Sequence, residues 1–365
     1  MNLLNEVLAR PSVITHWGAR EWNAFLPLAR NARLLGRCRA LFAAHDLADG
    51  VPQRVDDHLR GALTQTHYVQ GQARRELRHV ARCLAREGIQ LMALKGLAYL
   101  VAGLPPSGWR NLSDIDLMVR RADIERAEQL LHTCGWVASG EHDTYDEHYY
   151  RDWMHEVPPL RHPARAVEVD VHHNLSPPVS RTQIDADKLW DAASEYTDEF
   201  GTRVFVLESA DLLLHNAIHL FMNDELRGGL RDVVDFRDLY EHFDAAEAGF
   251  AERLVARATE LGCGRALYYA ARAAQRFAGL RTATEFDQAL SRFAPSAPAA
   301  ALMDRLTAAV FAPRRPGMKR DALAVQALFI RSHWIRMPPL MLIRHLAHKA
   351  FLSRRQRVAE GDLPG

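Results

Sequence analysis

The stretch Arg110-Asn-Leu-Ser-Asp-Ile-Asp-Leu-Met-Val119 places two carboxylates two residues apart among apolar residues, directly after a loop rich in glycine and proline. Alternation along a strand points Asp114 and Asp116 to one face, while Ile115 and Leu117 point to the other face, toward the core. Two hard oxygen ligands side by side at a strand end suit Mg²⁺, which prefers carboxylates together with substrate phosphates. The stretch therefore predicts a strand that serves phosphoryl or nucleotidyl transfer.

The segment upstream of this strand has the pattern of a phosphate site. Residues 90–94 form a short apolar run that predicts a buried strand, and residues 97–103 predict a short helix. Gly96, which lies between them, lets backbone N–H groups approach a phosphate at the helix N-terminus. Lys95 and Arg110 are then available to neutralise a triphosphate tail.

A third carboxylate is expected from a neighbouring strand, because a two-metal site for in-line displacement needs at least three acidic ligands. Residues 166–173 alternate strictly, with valines on one face and Glu168, Asp170 and His172 on the other. Asp170 is the preferred ligand, because it lies nearer the C-terminal end of the strand and precedes His172 and His173. Glu168 remains the alternative.

The order of predicted elements indicates an α+β fold with three regions. Residues 1–85 read as an N-terminal helical region, residues 86–176 as a nucleotidyltransferase-like α/β core with a small mixed sheet, and residues 177–365 as a C-terminal helical domain. The predicted strands cover residues 90–94, 112–119, 146–157 and 166–173. Beyond the N-terminal region, the predicted helices cover residues 97–103, 122–134, 209–222, 229–243, 248–278, 299–311 and 321–352.

Composition excludes few classes of protein. The net charge of +1 over 365 residues gives no general attraction to nucleic acid or membranes. Residues 313–365 carry eleven Lys or Arg against three acidic residues, and we interpret this basic tail as solvated surface.

The four cysteines and the apolar runs indicate the cellular compartment. Because the cysteines are far apart and form no CxxC pair, we expect neither a zinc site nor a disulfide framework. We therefore expect a cytoplasmic location, where thiols are kept reduced. No secretion signal is visible at the N-terminus, and no uncharged apolar run approaches the ~18–20 residues that a membrane span requires.

The sequence resembles a known superfamily, which includes DNA polymerase β and the aminoglycoside nucleotidyltransferases. The motifs that carry the resemblance are Leu94-Lys-Gly96, residues 110–119 and Val169-Asp-Val-His-His-Asn174. They look most like those of poorly characterised bacterial nucleotidyltransferase proteins, often encoded beside peptide or polysaccharide biosynthesis genes. The resemblance implies that Asp114, Asp116 and Asp170 bind the metal ions and that Gly96 and Lys95 lie near the phosphates.

One position departs from the superfamily pattern. The Gly-Ser motif of the superfamily is here Gly96-Leu97, so no hydroxyl at position 97 can hold a phosphate. Two interpretations of Ser113 stay open: it replaces the missing hydroxyl, or it is only a neighbour in the turn.

Two further groups of residues are weighed against structural roles. Asp211, His215 and His219 recur at a spacing of four on one helix face, and a structural histidine pair is favoured over active-site lining or a zinc site. The next helix carries Arg231, Asp232 and Asp235. The favoured interpretation is a simple ion pair between Arg231 and Asp235. The alternative is that Arg231 or Asp232 contacts the nucleotide or the acceptor.

The basic stretch Phe329–Phe351 is interpreted as a core-packing helix pair with a basic outer side rather than a membrane-surface helix. Histidines also recur through a β-like region without ligand spacing, and no role is assigned to them. They are His142, His148, His155 and His162.

The predicted activity is Mg²⁺-dependent transfer of a nucleoside monophosphate from a nucleoside triphosphate, with ATP favoured, to a hydroxyl-bearing acceptor, with release of pyrophosphate. Two Mg²⁺ ions are expected, and a small molecule, a peptide or a sugar is favoured over RNA as acceptor. The alternatives are an RNA-modifying toxin of the same superfamily and a degenerate protein that binds nucleotide or a partner without catalysis.

Overall fold

The computed structural model of the chain describes residues 2–139, 154–222, 226, 228–315, 317–319 and 321–338. The N-terminal residues form the helices α1 (Leu3–Ala9), α2 (Ala19–Asn31), α3 (Leu35–Ala44) and α4 (Gln53–Leu84). The long helix α4 begins after Pro52 and ends before Gly88, whose φ of +69° is left-handed. Its apolar residues recur at helical spacing, which gives it one buried face along the sheet and the other helices. The predicted helical character of this region is confirmed.

A mixed sheet forms the centre of the fold. The strands are β1 (Met92–Ala93), β2 (Asp114–Met118), β3 (Val137–Ala138), β4 (Leu160–Arg161), β5 (Glu168–His172), β6 (Ser194–Thr197) and β7 (Arg203–Val206). Among the described residues the order is β3-β4-β5-β2-β1-β7-β6. Strand β2 pairs in parallel with β5 and antiparallel with β1, and β1 pairs in parallel with β7. Helices α5 (Lys95–Val101) and α6 (Ile124–Thr133) follow β1 and β2. The predicted α+β class is confirmed.

Three predicted strands lie where the sequence places them, with shorter bounds. They are β1 within residues 90–94, β2 within 112–119 and β5 within 166–173. The predicted strand 146–157 lies mostly outside the described residues. In its described part, Glu156 makes an isolated antiparallel bridge with His172.

The sheet also contains strands that the sequence did not predict. Strands β3 and β4 have two residues each, too few to show alternation. Strand β6 is exposed along its whole length, so it has no apolar face, and it pairs with β7 at the edge of the sheet. The prediction of helices alone after residue 177 is therefore wrong for residues 194–206.

The remaining described residues are mainly helical. The helices are α7 (Ala186–Ala192), α8 (Ser209–Phe221), α9 (Leu230–Ala246), α10 (Phe250–Glu260), α11 (Gly264–Ala273), α12 (Thr284–Ser291), α13 (Ala297–Phe311) and α14 (Ala322–Arg336). The predicted helix 248–278 is divided between α10 and α11 by Gly262, whose φ is +67°. Helix α14 covers the start of the predicted helix 321–352, and residues beyond 338 lie outside the described part.

Buried apolar side chains from Leu4 to Leu328 form a continuous hydrophobic core between the helices and the sheet. In the part of the chain that the structure describes, no helix combines the length and apolar character needed to cross a bilayer. The sheet is thus held between N-terminal and C-terminal helices, with β2 and β5 near its middle.

The expectation of no disulfide is wrong for one pair of cysteines. Cys83 near the end of α4 is bonded to Cys134 just after α6, 51 residues later in the sequence. The two cysteines lie on different predicted helices, so their spacing carries no signal of the bond. Cys38 and Cys263 are buried and free.

Candidate active site

The parallel pairing of β2 with β5 gathers the acidic residues on one face of the sheet. Asp114 lies opposite Glu168, and Asp116 lies opposite Asp170. Because neighbouring strands are ~4.8 Å apart and alternate residues share a face, these carboxylates form one cluster. Asp114, Asp116 and Asp170, which the sequence singled out separately, thus lie together, with Glu168 beside them.

Asp116 is the most buried member of the cluster and has two close partners. Its Oδ1 atom accepts a hydrogen bond from Nζ of Lys95 at 2.6 Å and lies 3.2 Å from Nε2 of His172. Burial alone would raise the pKa of Asp116, but the charge of Lys95 and the contact with His172 hold it well below its ordinary value. Asp116 is therefore a carboxylate with a fixed orientation.

Asp170 differs from Asp116 because, among the described residues, no lysine or arginine forms an ion pair with it. Its Oδ1 atom is buried and makes no hydrogen bond among the described residues. Burial, followed by the neighbouring charge of Asp116, raises the pKa of Asp170 to about 7. A carboxylate in this state can bind a cation or accept a proton near neutral pH.

Asp114 lies at the open end of the cluster. Its Oδ1 atom accepts a hydrogen bond of 3.0 Å from the hydroxyl of Ser113. Burial and the charge of Asp116 raise the pKa of Asp114. The structure thus places Ser113 against Asp114, and neither interpretation of Ser113 is tested by this contact.

Lys95 and Gly96 occupy the turn between β1 and α5. Lys95 has a left-handed φ of +48°, an uncommon conformation for a residue with a side chain, and this turn directs its ammonium group to Asp116. An ammonium group has three donors, and Asp116 uses one of them. A Cβ atom on Gly96 would lie 2.4 Å from Cδ2 of Leu112 and 2.7 Å from Nε of Arg110, so the glycine allows close packing of the loop before β2.

Arg110 is held by acidic residues of α9. Its NH1 atom donates to Asp232 at 2.8 Å and contacts Asp235, and its side chain is buried. The favoured pairing of Arg231 with Asp235 is therefore not what the structure shows. Arg231 instead donates to the backbone carbonyl of Asn111 at 3.3 Å. These contacts connect α9 to the loop that leads into β2.

Helix α4 holds the other side of the same loop. The side-chain amide of Gln70 donates to the carbonyls of Ser107 and Arg110, at 2.7 and 3.0 Å. The hydroxyl of Thr66 lies 3.4 Å from the carbonyl of Trp109. Satisfying these carbonyls fixes the path of the chain just before Asp114.

Helix α8 carries two histidines whose pKa values are affected by burial and by the charges of Lys95 and Asp116. Burial, and then the charge of Lys95, lowers the pKa of His215 to about 3 and that of His219 well below its ordinary value. Asp211 faces another way, because its carboxylate receives two hydrogen bonds of 2.7 Å from Arg257. The three residues thus do not form one site.

A second group of side chains meets the cluster at the end of β5. Nδ1 of His172 lies 3.2 Å from Oε2 of Glu156, and the imidazole rings of His155 and His172 are 5.3 Å apart. The sequence analysis predicted no role for His155 and did not identify Glu156. The spacing of these residues in the sequence does not predict their contact with His172, because backbone pairing between distant segments brings them together.

An open cavity of about 520 Å³ begins at Asp114 and Ser113. It lies between α4 and residues 164–167. Its polar lining includes Tyr68, Gln72, Arg75, His79 and Arg165. The volume is in the range of small-molecule sites in proteins, ~300–1,000 Å³. The cavity gives the carboxylate cluster a place for a ligand.

The chain is similar to a family of known proteins. A family model described as "Uncharacterised nucleotidyltransferase" matches residues 18–279, which include α2 to α4, the sheet and the helices that carry His215 and Arg231. No curated protein matches the chain.

Proposed function

The chain belongs to this family of uncharacterised nucleotidyltransferases, and from that premise we propose that it transfers a nucleoside monophosphate to a hydroxyl-bearing acceptor. The donor is a nucleoside triphosphate, with ATP as the first candidate, and the reaction depends on Mg²⁺. Pyrophosphate is the second product.

The observation that supports this proposal is the register of β2 against β5. Asp116 lies directly opposite Asp170, and Asp114 shares their face. Buried Oδ1 of Asp170 has no hydrogen-bond partner among the described residues, which is expected of an atom whose partner is a bound cation. Carboxylate oxygens are also the ligands that Mg²⁺ prefers.

Asp114, Asp116 and Asp170 are thus the residues that would hold Mg²⁺. When bound, the ions neutralise the charge of the triphosphate and of the departing pyrophosphate. Lys95 keeps Asp116 ionised and oriented, and its remaining N–H groups are available to a phosphate oxygen. Arg110 acts as a positioning residue, because Asp232 and Asp235 already occupy its guanidinium group.

The reaction is an in-line displacement at the α-phosphorus. The acceptor oxygen forms a bond to this phosphorus, and the bond from the phosphorus to the oxygen of the β-phosphate breaks, so that pyrophosphate leaves with the electron pair. The hydroxyl proton passes to Asp170, a carboxylate of the cluster whose buried Oδ1 atom has no hydrogen-bond partner among the described residues.

The cavity at Asp114 supports a small acceptor. Its volume of about 520 Å³ accommodates a sugar, a short peptide end or a similar metabolite. A protein that modifies RNA would require a broad basic surface around the site. Of the two arginines that line the cavity, Arg75 and Arg165, Arg165 is engaged with Glu76 at 2.6 Å.

The test is calorimetric titration of the four nucleoside triphosphates with Mg²⁺ into the wild-type protein and the Asp114→Asn variant, followed by a pyrophosphate-release assay with candidate acceptors. We expect Mg²⁺-dependent binding of one nucleotide and a loss of binding of about tenfold or more in the variant, because one metal ligand is removed. Asp187→Asn is the matched control, since this carboxylate is exposed and, among the described residues, forms an ion pair with Arg120 alone.

Equal binding by the wild type and Asp114→Asn would contradict the proposed site. Binding of nucleotide without pyrophosphate release for any acceptor would favour the degenerate, non-catalytic alternative. The Asp170→Asn variant distinguishes a catalytic site from one that only binds nucleotide. If Asp170 is the general base, the variant is expected to lose turnover more strongly than nucleotide affinity.

A further inference from the structure

Three side chains outside the carboxylate cluster converge at the end of β5. The ligand atoms of His155, Glu156 and His172 all lie within 4.8 Å of one another. Such a distance is compatible with three atoms around a single metal ion. The group consists of two imidazoles and one carboxylate.

Backbone hydrogen bonds place these side chains together. The N–H of Val157 donates to the carbonyl of Val171 at 3.0 Å, and the N–H of His173 donates to the carbonyl of His155 at 2.8 Å. Glu156 and His172 form the bridge between these two bonds. The segment is therefore paired with the end of β5, and the positions of the ligand atoms do not depend on side-chain contacts alone.

Two ring nitrogens of the group lack partners. The Nδ1 atoms of His155 and His172 are buried and form no hydrogen bond within the described part of the chain. The residues are 6% and 3% exposed, so bulk water does not reach them freely. Buried polar atoms without partners are costly, which indicates that something else satisfies them.

The contact with Asp116 defines how His172 is oriented. Its Nε2 atom lies 3.2 Å from Oδ1 of Asp116, so the ring N–H donates to the carboxylate from this side. Its Nδ1 atom faces Oε2 of Glu156 at 3.2 Å, and the two atoms form no hydrogen bond. A metal ion bound between them would use the lone pair of Nδ1 in the neutral ring and one carboxylate oxygen. Metal-binding histidines very commonly donate their second N–H to a carboxylate in this way.

We propose that His155, Glu156 and His172 bind one divalent transition-metal ion of the Zn²⁺ type. Two imidazoles with one carboxylate are a ligand set found in zinc sites, whereas Mg²⁺ prefers oxygen ligands alone. The expectation that the protein binds no zinc and that His155 has no role is revised accordingly.

The site lies next to the proposed Mg²⁺ site and is distinct from it. His172 belongs to both neighbourhoods, since one ring nitrogen faces Asp116 and the other faces Glu156. A bound ion would hold the segment around His155 against β5 and fix the imidazole that contacts Asp116. The metal site would therefore position Asp116 through His172. The metal site does not depend on the proposed transfer reaction.

The test is equilibrium dialysis of the full chain against Zn²⁺ after treatment with a chelator, with metal content measured by atomic emission. We expect His155→Ala and Glu156→Gln to bind one Zn²⁺ fewer per chain than the wild type at limiting Zn²⁺, or to bind it with an affinity at least about tenfold lower. His67→Ala is the matched control, because His67 is exposed on α4 and far from β5 in sequence. Co²⁺ in place of Zn²⁺ should give visible absorption bands that the two variants lose.

Wild-type stoichiometry and affinity in both variants would overturn the proposal, as would the absence of Zn²⁺ binding to the wild type. Circular dichroism and a thermal melt of the chelator-treated proteins ensure that the variants are folded, and Glu156→Gln keeps the size of the side chain. The Asp114→Asn variant should keep its Zn²⁺ while it loses Mg²⁺-dependent nucleotide binding. The two proposals therefore fail separately.

Discussion

At the scale of single residues, Gly96 has a role that its sequence context does not reveal. The motif suggested a close approach of phosphate to the backbone. The structure fills the space beside its Cα with the side chains of Leu112 and Arg110. Arg110 cannot withdraw easily, because Asp232 and Asp235 hold its guanidinium group.

Replacing Gly96 with alanine should therefore destabilise the protein. The added Cβ would lie 2.4 Å from Leu112 and 2.7 Å from Arg110, and overpacking of this kind costs ~1–3 kcal/mol. The matched control is Gly71→Ala in α4, where no atom lies within 4 Å of the added Cβ. It should stabilise the helix by ~0.5–1 kcal/mol. Urea unfolding measures the free energy of unfolding of both variants. Equal values for Gly96→Ala and Gly71→Ala would contradict the packing argument.

His215 makes a pH-dependent contribution to stability. Burial and the charges of Lys95 and His172 lower its pKa from 6.5 to about 3, while Asp116 opposes the shift. Because the folded state binds the proton more weakly than the unfolded state, the contribution is fully present above about pH 6.5. It is lost progressively as the pH falls toward about 3.

The His215→Leu variant should accordingly show a smaller loss of stability on acidification. Between about pH 6.5 and about pH 4.5, one such group accounts for ~2–3 kcal/mol of the free energy of unfolding. Urea unfolding across this range gives the slope for the wild type, the variant and the exposed-site control His67→Leu. The control should keep the wild-type slope, and a wild-type slope in His215→Leu would show that the buried imidazole is not responsible.

At the scale of elements, the disulfide between α4 and α6 is the least expected connection. Cys83 and Cys134 close a loop of 51 residues that contains β1, α5 and β2. The carboxylates of β2 thus lie on a segment whose two flanking helices are covalently linked. Closing such a loop restricts the unfolded chain more than the folded one.

Reduction should lower the stability of the wild-type protein by ~2–4 kcal/mol. The measurement is urea unfolding with and without a reducing agent, repeated on the Cys83→Ser/Cys134→Ser double variant. The double variant should be as stable as the reduced wild type and insensitive to the reductant. If the reductant leaves the wild-type midpoint unchanged, the covalent link does not contribute to stability.

The pairing of β2 with β5 matters more for the site than either strand does alone. Residues of a strand change faces at every position, so a shift of the register by one residue would direct Asp170 away from Asp116. The observed register is parallel, and the chain between the strands runs through α6 and the β3–β4 pair. The third carboxylate is therefore placed by the connection as much as by the strand that carries it.

At the scale of the whole molecule, a buried ion network joins the N-terminal helices to the C-terminal helices. Asp238 of α9 accepts hydrogen bonds from Arg37 of α3 at 2.8 and 2.9 Å and from the neighbouring Arg237. Arg237 also donates to the carbonyls of Leu8 and Ala278, at 3.0 and 2.7 Å. One aspartate thus neutralises two buried guanidinium groups between distant parts of the chain.

Removing that charge should weaken the entire fold. Asp238→Asn removes the nearest counter-ion of Arg37 and Arg237 and leaves Glu241, 4.0 Å from Nε of Arg237, as the remaining carboxylate. Breaking a buried pair in this way costs ~3–5 kcal/mol. Asp244→Asn, on an exposed position of the same helix, is the control and should have almost no effect. Thermal and urea unfolding provide the test. A small effect of Asp238→Asn would mean that water or another carboxylate compensates the two arginines.

Local periodicity was sufficient to predict much of this protein. The alternation around Asp114 and Asp116 and around Asp170 gave two strands in the correct places, because side chains of a strand alternate whatever it pairs with. Amphipathic spacing likewise gave most of the helices after the sheet. Short or fully exposed strands such as β6 carry no such pattern and were missed.

Contacts between distant segments were decided by the tertiary structure alone. The partners of Lys95 and Arg110, the bond between Cys83 and Cys134, and the approach of Glu156 to His172 join residues 16 to 125 positions apart. No spacing in the sequence encodes them, because they depend on which strands pair and in which register. Residue types and local alternation predicted the carboxylates as metal ligands and the strands that carry them, and the strands are confirmed. Only the packing of the sheet between its helices decided which of them meet, which cations they face and which buried nitrogens are left for a metal ion.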